Sequence, residues 1–270
     1  MSVGANTFKA ALVERRRQIG LWCSLASSIA AEVVSYSGFD WLLLDSEHSP
    51  NEIPDLLAQL HATSQGTATA VVRPPSNDPV TVKRILDLGA RTVLIPYVQS
   101  PKEAELAVSS TRYPPKGIRG VSASSRASRY GRVADYLRTA DEDICVLVQV
   151  ETREALCSLA EIAAVPGVDG VFIGPSDLAA SLGHIGNPQH PIVQQALQEA
   201  VQTLEALGKP AGILTTNVDE AQRYIGWGYQ FVAVGTDVNL LVRESEKLVR
   251  TFEPHRAKAA PGQVTAGTRG

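Results

Sequence analysis

The chain has 270 residues, a hydrophobic fraction of 44% and a formal net charge of −3. These values are typical of a globular protein and exclude the strong basic excess of a nucleic-acid binder. No apolar run approaches the roughly 20 residues that span a bilayer, and the polar N-terminus lacks the apolar segment of a signal peptide. We therefore expect a cytoplasmic protein with small-molecule ligands, no nucleic-acid partner and no membrane contact.

Eight short apolar runs alternate with stretches of helical periodicity along the chain. Strands that are buried on both faces have such continuous apolar sequences. Eight of them with intervening helices fit a closed parallel barrel better than an open sheet, so the predicted fold is an α/β protein, a (β/α)8 TIM barrel. The predicted strands are Ile19–Leu25, Trp41–Asp45, Ala70–Arg73, Thr92–Pro96, Ile144–Glu151, Gly170–Gly174, Pro210–Leu214 and Phe231–Gly235.

Start and stop signals place the helices between these strands. The segment Ser49-Pro50-Asn51-Glu52 predicts the beginning of one helix, and Asn77-Asp78-Pro79 the beginning of the next, which Gly89 ends. The three cysteines lack the spacing of metal ligands, and we expect reduced core residues at Cys23, Cys145 and Cys157.

Two regions depart from the alternation. The segment from Tyr113 to Tyr136 is long and carries four arginines, which leaves open whether it is a functional or interfacial loop or a solvated basic loop. Beyond Phe252 the chain is rich in Pro, Gly, Ala and Thr. We therefore predict a single barrel domain over residues 1–252 and a flexible tail over 253–270.

Two carboxylates are the strongest candidates for a metal site. Glu151 ends one predicted strand, and Asp177 follows the next strand at the start of a short helix. Two carboxylates with water and substrate oxygens suit a hard divalent ion such as Mg²⁺ or Mn²⁺. The alternative is a helix N-terminal acid at Asp177 and a partner for a buried arginine at Glu151.

The same turn, Gly174–Asp177, predicts a site for a carboxylate because backbone N–H groups are free at a helix N-terminus. A metal beside it would be chelated by a 2-oxo acid, and polarising the ketone acidifies the neighbouring C–H bonds.

Arg73 ends its strand before Pro74-Pro75, where its charge could stabilise an enolate or pair with a barrel carboxylate. His48 is the only histidine that closely follows a predicted strand, and with a reference pKa of about 6.5 it is an acid–base candidate, although a lone loop histidine is more often inert.

Several motifs together resemble the HpcH/HpaI family of metal-dependent 2-oxo acid aldolases over nearly the whole chain. The motifs are Gly20-Leu21-Trp22, the run from Phe39 to Asn51 (FDWLLLDSEHSPN), Val72-Arg73, Asp87-Leu88-Gly89-Ala90, Gln149-Val150-Glu151-Thr152 and Ile173-Gly174-Pro175-Ser176-Asp177-Leu178. The resemblance implies a barrel like that of phosphoenolpyruvate- and pyruvate-binding domains. It also implies a divalent metal cofactor, Mg²⁺, Mn²⁺ or Co²⁺, and a homo-oligomer, commonly a hexamer that exchanges helices, here the segment Leu240–Val249.

The resemblance assigns roles to single residues. Glu151 and Asp177 would hold the metal, Gln149 and the backbone near Ser176 would bind the pyruvate moiety, and Arg73 would stabilise the enolate. His48 would be the acid–base residue, with Asp87 raising its basicity. The two residues expected at the aldehyde are Asp45, which would help to position it, and Leu214, which would form an apolar wall.

The implied reaction is the reversible cleavage of a 4-hydroxy-2-oxo acid to pyruvate and an aldehyde through a metal-bound pyruvate enolate. A carbon–carbon lyase that acts on an acyl-CoA ester of the malyl or citryl type is the alternative. A Schiff-base aldolase requires a lysine at the C-terminal end of a strand. No predicted strand ends in one, and Lys209 precedes its strand. A non-catalytic metabolite-binding protein is a third possibility, but it leaves His48 and Arg73 without a purpose.

Overall fold

A computed structural model describes residues 5–256. Eight parallel strands form a closed barrel in the order β1 to β8, with each strand paired to its neighbours in sequence. The (β/α)8 barrel expected from the sequence is therefore confirmed, and every predicted strand is present with each end within two residues of its predicted position. The strands are β1 Gln18–Cys23, β2 Trp41–Asp45, β3 Thr69–Arg73, β4 Thr92–Ile95, β5 Cys145–Val150, β6 Gly170–Ile173, β7 Ala211–Leu214 and β8 Phe231–Thr236.

Helices cover the outside of the barrel and close one of its ends. The two predicted helix starts are confirmed: a reciprocal pair of bonds between Glu52 and Asp55 caps α3, and Asp78 caps α4. Within residues 5–256 the helices are α1 Thr7–Val13, α2 Ser28–Ser35, α3 Ile53–Ala62, α4 Pro79–Asp87, α5 Pro101–Thr111, α6 Tyr136–Asp143, α7 Arg153–Cys157, α8 Leu159–Ala164, α9 Pro175–Ser181, α10 Pro191–Ala206, α11 Val218–Trp227 and α12 Asp237–Arg256.

The core consists of two layers. Mostly aliphatic side chains fill the space between strands and helices, whereas aromatic rings from Trp41, Phe172 and Phe231 fill the interior of the barrel. Phe8 of α1 packs edge-on against Phe231 and closes the N-terminal end of the barrel. A side chain at Gly20 would overlap the ring of Trp41, so a glycine is needed for this interior packing.

The arginine-rich segment between α5 and α6 is irregular apart from a short 3₁₀ turn at Arg126–Ser128. Arg119 is only 1% exposed, donates to Asp87 at 2.8 Å and lies over the ring of Tyr113 at 4.5 Å. Arg129, in contrast, is exposed. A fully solvated loop is therefore wrong for this segment, because one of its guanidinium groups anchors it to the end of α4.

The helix α12 extends to Arg256, four residues beyond the predicted domain boundary, and residues 257–270 of the predicted tail lie outside the described part of the chain. None of the helices within residues 5–256 combines the length and apolar composition that crossing a membrane requires. Cys23 and Cys145 are buried as expected, but the expectation for Cys157 is wrong: it is exposed, at the end of the short helix α7.

Candidate active site

A cavity of about 530 Å³ opens at the C-terminal ends of the strands. The parallel register brings those ends together on one rim, which is where barrel enzymes place their sites. Most of the residues predicted for the site line this cavity: His48, Arg73, Gln149, Ser176, Asp177 and Leu214.

Arg73 lies on the floor of the cavity, held by Asp45. The two residues are direct partners in the register of β2 and β3. Arg73 donates from Nε and Nη2 to the two oxygens of Asp45 at 2.8 and 2.7 Å, and its guanidinium lies over the ring of Trp22. Burial alone raises the pKa of Asp45, but bonds from Arg73 and its charge, with smaller contributions from Trp22 and the N–H of Glu47, bring that pKa below its usual value. The guanidinium is therefore fixed with only Nη1 directed away from Asp45.

Glu151 lies at the junction of β5 and β6. It accepts hydrogen bonds from Nε2 of Gln149 at 2.5 Å and from the backbone of Tyr97 at 3.0 Å. A methyl group on Gly174 would lie 2.7 Å from Oε2 of Glu151, so the absence of a side chain there gives the carboxylate its space. An arginine partner for Glu151, the alternative weighed from the sequence, is absent from the described contacts.

The pKa of Glu151 is raised to about 7. Burial is the largest cause, and the negative charges of Asp177 and Glu47 add to it, while the bonds from Gln149 and Tyr97 act in the opposite direction. A buried carboxylate that lies near other negative charges is stabilised by a cation. Asp177 is exposed in the first turn of α9, on the cavity wall.

The loop after β2 carries two polar residues into the site. The hydroxyl of Ser46 donates to the carbonyl of Arg73 at 2.6 Å, and Ser49 donates to the carbonyl of Asp45, so both ends of the loop are fastened to strand ends. Between them, His48 is 65% exposed and its Nε2 lies 3.7 Å from Oε2 of Glu47. The same oxygen lies 2.8 Å from Nη1 of Arg73.

Sequence reasoning assigned no role to Glu47, although it stands between Asp45 and His48 in the family motif. Trp22 was also quoted only as part of a motif, and its indole N–H donates to Asp45 at 3.2 Å. The signal for Glu47 was its position next to a candidate acid–base residue. Its contact with Arg73 depends on how the loop folds back over β3, which no spacing in the sequence specifies.

Asp87 does not lie near His48 of the same chain. It is the last residue of α4, just before β4 begins, and therefore lies at the N-terminal end of the barrel. Its carboxylate pairs with Arg119 at 2.8 Å. Lys209 also lies at that end, where it donates to the carbonyl of Val168. The structure thus agrees with the expectation that this lysine is remote from the cavity.

The residues present fit a hard divalent ion. Glu151 and Asp177 supply the oxygen donors that such ions prefer, and the lack of a side chain at Gly174 leaves room for the Glu151 carboxylate. Across residues 5–256, no group of three or more His, Cys, Asp and Glu side chains has the geometry of a complete metal site. Two protein carboxylates leave several positions for water and substrate, as is typical of Mg²⁺ sites.

The comparisons with known proteins agree with this geometry. The sequence profile of the family described as HpcH/HpaI aldolase/citrate lyase matches residues 18–243. A protein named pyruvate aldolase from Rhizobium etli is 54% identical over 252 residues, covering 93% of this chain and 99% of that protein. A 4-hydroxy-2-oxo-heptane-1,7-dioate aldolase from Klebsiella pneumoniae is 55% identical over 92% of this chain and 94% of its own length.

Among solved structures, an HpcH/HpaI aldolase/citrate lyase family protein from Burkholderia cenocepacia superposes with a TM-score of 0.90 at 39% identity, covering 92% of this chain and 99% of that one. The chain belongs to the HpcH/HpaI aldolase/citrate lyase family. The expectation that it is an aldolase of the metal-dependent class is thereby confirmed.

Proposed function

We propose that the chain reversibly cleaves 4-hydroxy-2-oxo acids to pyruvate and an aldehyde with the help of a divalent cation held by Glu151 and Asp177. One observation carries this proposal: the buried carboxylate of Glu151 and the fixed guanidinium of Arg73 lie at the same cavity floor, and the amide of Gln149 is hydrogen-bonded to both. The names of the similar proteins from Rhizobium etli and Klebsiella pneumoniae support the same substrate class.

The bound ion supplies one thing: it polarises the ketone and acidifies the neighbouring C–H bonds. Of Mg²⁺, Mn²⁺ and Co²⁺, we propose Mg²⁺ or Mn²⁺ as the bound ion, because the donors are all oxygen atoms.

The side chains around the cavity floor orient the pyruvate part of the substrate. The amide of Gln149 lies between Arg73 and Glu151, bonded to both, at 3.4 and 2.5 Å. Nε and Nη2 of Arg73 are bound to Asp45, so Nη1, which also contacts Glu47 at 2.8 Å and Gln149 at 3.4 Å, is the nitrogen that faces a substrate oxygen. As the C3–C4 bond breaks, its electron pair becomes the pyruvate enolate, and the fixed positive charge of Arg73 stabilises the enolate oxygen. Ser176, on the wall beside the floor, contributes its backbone to the carboxylate site.

His48 performs the proton transfers in this proposal. Its imidazole takes the proton of the 4-hydroxyl group, the aldehyde leaves, and the proton returns to C3 of the enolate. Its exposure at the cavity mouth gives it access to a substrate, and its Nε2 lies 3.7 Å from Oε2 of Glu47. Leu214 lies on the wall of the same cavity and offers an apolar contact to the aldehyde.

Two predicted roles take a different form in this proposal. Asp45 acts on the aldehyde only indirectly, because its oxygens are engaged by Arg73 and Trp22. Asp87 could raise the basicity of His48 only in an oligomer, if a second subunit brings its α4 end to the cavity. The exposed apolar residues of α12 support an oligomer, and the hexamer and the cytoplasmic location remain proposals. These α12 residues are Leu240, Leu241, Val242, Leu248, Val249 and Phe252.

The proposal is tested by incubating the protein and Mn²⁺ with 4-hydroxy-2-oxoheptanedioate and measuring pyruvate release with lactate dehydrogenase. Metal-dependent release that EDTA abolishes is the expected result. Borohydride trapping of a pyruvate adduct would instead indicate a Schiff-base enzyme, and faster cleavage of a malyl- or citryl-type thioester would indicate the acyl-CoA lyase.

A further inference from the structure

Glu47 is a carboxylate beside Arg73 on the cavity floor, and the proposal above gives it no role of its own. Its side chain is 17% exposed and its Oε2 is buried, yet that atom accepts no hydrogen bond from any described residue. Its contacts there are ionic, with Nη1 of Arg73 at 2.8 Å and Nε2 of His48 at 3.7 Å. A buried carboxylate oxygen without a hydrogen bond is unfavourable unless a further donor or cation completes its surroundings.

Arg73 does not neutralise Glu47 by itself. Two nitrogens of the guanidinium are bound to Asp45, so Asp45, Arg73 and Glu47 together carry one net negative charge. The pKa of Glu47 is raised, first by burial and further by the charges of Asp45 and Asp177, against the opposing effects of Arg73 and His48.

Glu47 is linked to the metal pair through Arg73 and Gln149: Nη1 of Arg73 lies 2.8 Å from Oε2 of Glu47 and donates to Oε1 of Gln149 at 3.4 Å, and Nε2 of Gln149 donates to Glu151 at 2.5 Å. Glu47 and Asp177 both act to raise the pKa of Glu151, so the three carboxylates share one electrostatic environment. Four carboxylates therefore lie around the single guanidinium of Arg73, and a divalent ion would offset most of their excess negative charge; they are Asp45, Glu47, Glu151 and Asp177. Because no complete three-ligand cluster exists among the described residues, Glu47 does not fit as a direct ligand.

Resting on the proposed function, we propose that Glu47 is a positioning residue that supports the divalent ion as an outer carboxylate, through a water molecule that the ion retains. Ions such as Mg²⁺ lose their water reluctantly and keep several waters in protein sites. Such a water donates hydrogen bonds, which is what Oε2 of Glu47 lacks. Partners beyond the direct ligands typically change metal affinity by about 10- to 100-fold.

The test is the dissociation constant of Mn²⁺, measured by electron paramagnetic resonance on the full chain without substrate. Glu47→Gln should weaken Mn²⁺ binding by about 10- to 100-fold. The isosteric change keeps the volume of the side chain, and a thermal melt checks that the variant is folded. Asp219→Asn, which removes an exposed carboxylate from the first turn of α11 beside the cavity, is the matched control and should leave the affinity within about twofold.

Glu151→Gln separates this inference from the proposed function. If Glu151→Gln abolishes Mn²⁺ binding and Glu47→Gln leaves it unchanged, the outer role of Glu47 is wrong while the metal site stands. If neither change weakens binding, or the wild-type protein binds no Mn²⁺, the proposed function fails as well. If Glu47→Asp recovers part of the Mn²⁺ affinity that Glu47→Gln loses, the result supports a carboxylate that acts through water. If Glu47→Gln and Asp219→Asn weaken Mn²⁺ binding equally, the loss reflects only the total charge around the cavity, and the proposal is overturned.

Discussion

At the scale of single residues, the account depends most on Arg73. Arg73→Ala removes the charge proposed to stabilise the enolate, and we expect cleavage to fall by roughly 100-fold or more. The change also leaves Asp45 buried without its partner, which should lower the free energy of unfolding by about 3–5 kcal/mol. Pyruvate release and a denaturant titration measure the two effects separately.

Arg73→Lys is the control for that prediction. It retains the charge but cannot make the two parallel bonds to Asp45, so it should recover part of the stability and only a small part of the rate. Turnover close to wild type in a folded Arg73→Ala protein would rule out the proposed role.

Glu151 gives the site a predictable pH dependence. Its pKa in the metal-free protein is raised to about 7, so it is mostly protonated at pH 6 and mostly ionised at pH 8. Metal binding must displace that proton at the lower pH, and Mn²⁺ affinity should therefore fall about tenfold from pH 8 to pH 6. Titration calorimetry at the two pH values measures the change. An affinity that is constant or higher at pH 6 would contradict the assignment of Glu151 as the titrating ligand.

At the scale of elements, the turn from β6 into α9 determines whether Glu151 can reach a cation. Gly174→Ala would place a methyl group 2.7 Å from the carboxylate oxygen, and we expect Mn²⁺ affinity to fall at least about tenfold. Gly226→Ala in α11 is the matched control, because a methyl group there meets nothing within 4 Å. It should leave affinity unchanged and stabilise the helix by about 0.5–1 kcal/mol. Unchanged Mn²⁺ affinity in Gly174→Ala would show that this turn does not control the access of Glu151 to a cation.

The order of elements was predictable from the sequence because barrel strands are buried on both faces and therefore have continuous apolar sequences. The same logic placed Arg73, Glu151 and Asp177 on one rim, since parallel strands share an end. Contacts that cross loops were not predictable: the approach of Glu47 to Arg73 depends on the path of the chain after β2. Equally, no local pattern indicated that Arg119 is buried against Asp87, because the segment around it has the periodicity of neither a helix nor a strand.

At the scale of the whole molecule, α12 presents apolar side chains that the barrel does not cover. Leu241 and Leu248 are each 62% exposed. If a second copy covers them, the double change Leu241→Lys and Leu248→Lys should lower the mass in light scattering after gel filtration. Val13→Lys, at a side chain that is 76% exposed on α1, is the control and should keep the wild-type mass. A monomeric wild-type protein would contradict the proposed oligomer.

The central claim, a metal-assisted pyruvate enolate held by Arg73, is tested most directly by proton NMR of pyruvate in D₂O with the purified protein. The spectrum is recorded after chelation and again with Mg²⁺, Mn²⁺ or Co²⁺, beside protein-free metal controls and Arg73→Ala. We predict loss of the methyl signal only with metal and wild-type protein, because the enolate exchanges its protons with solvent. Absence of exchange with every metal, or equal exchange with Arg73→Ala, would contradict the account.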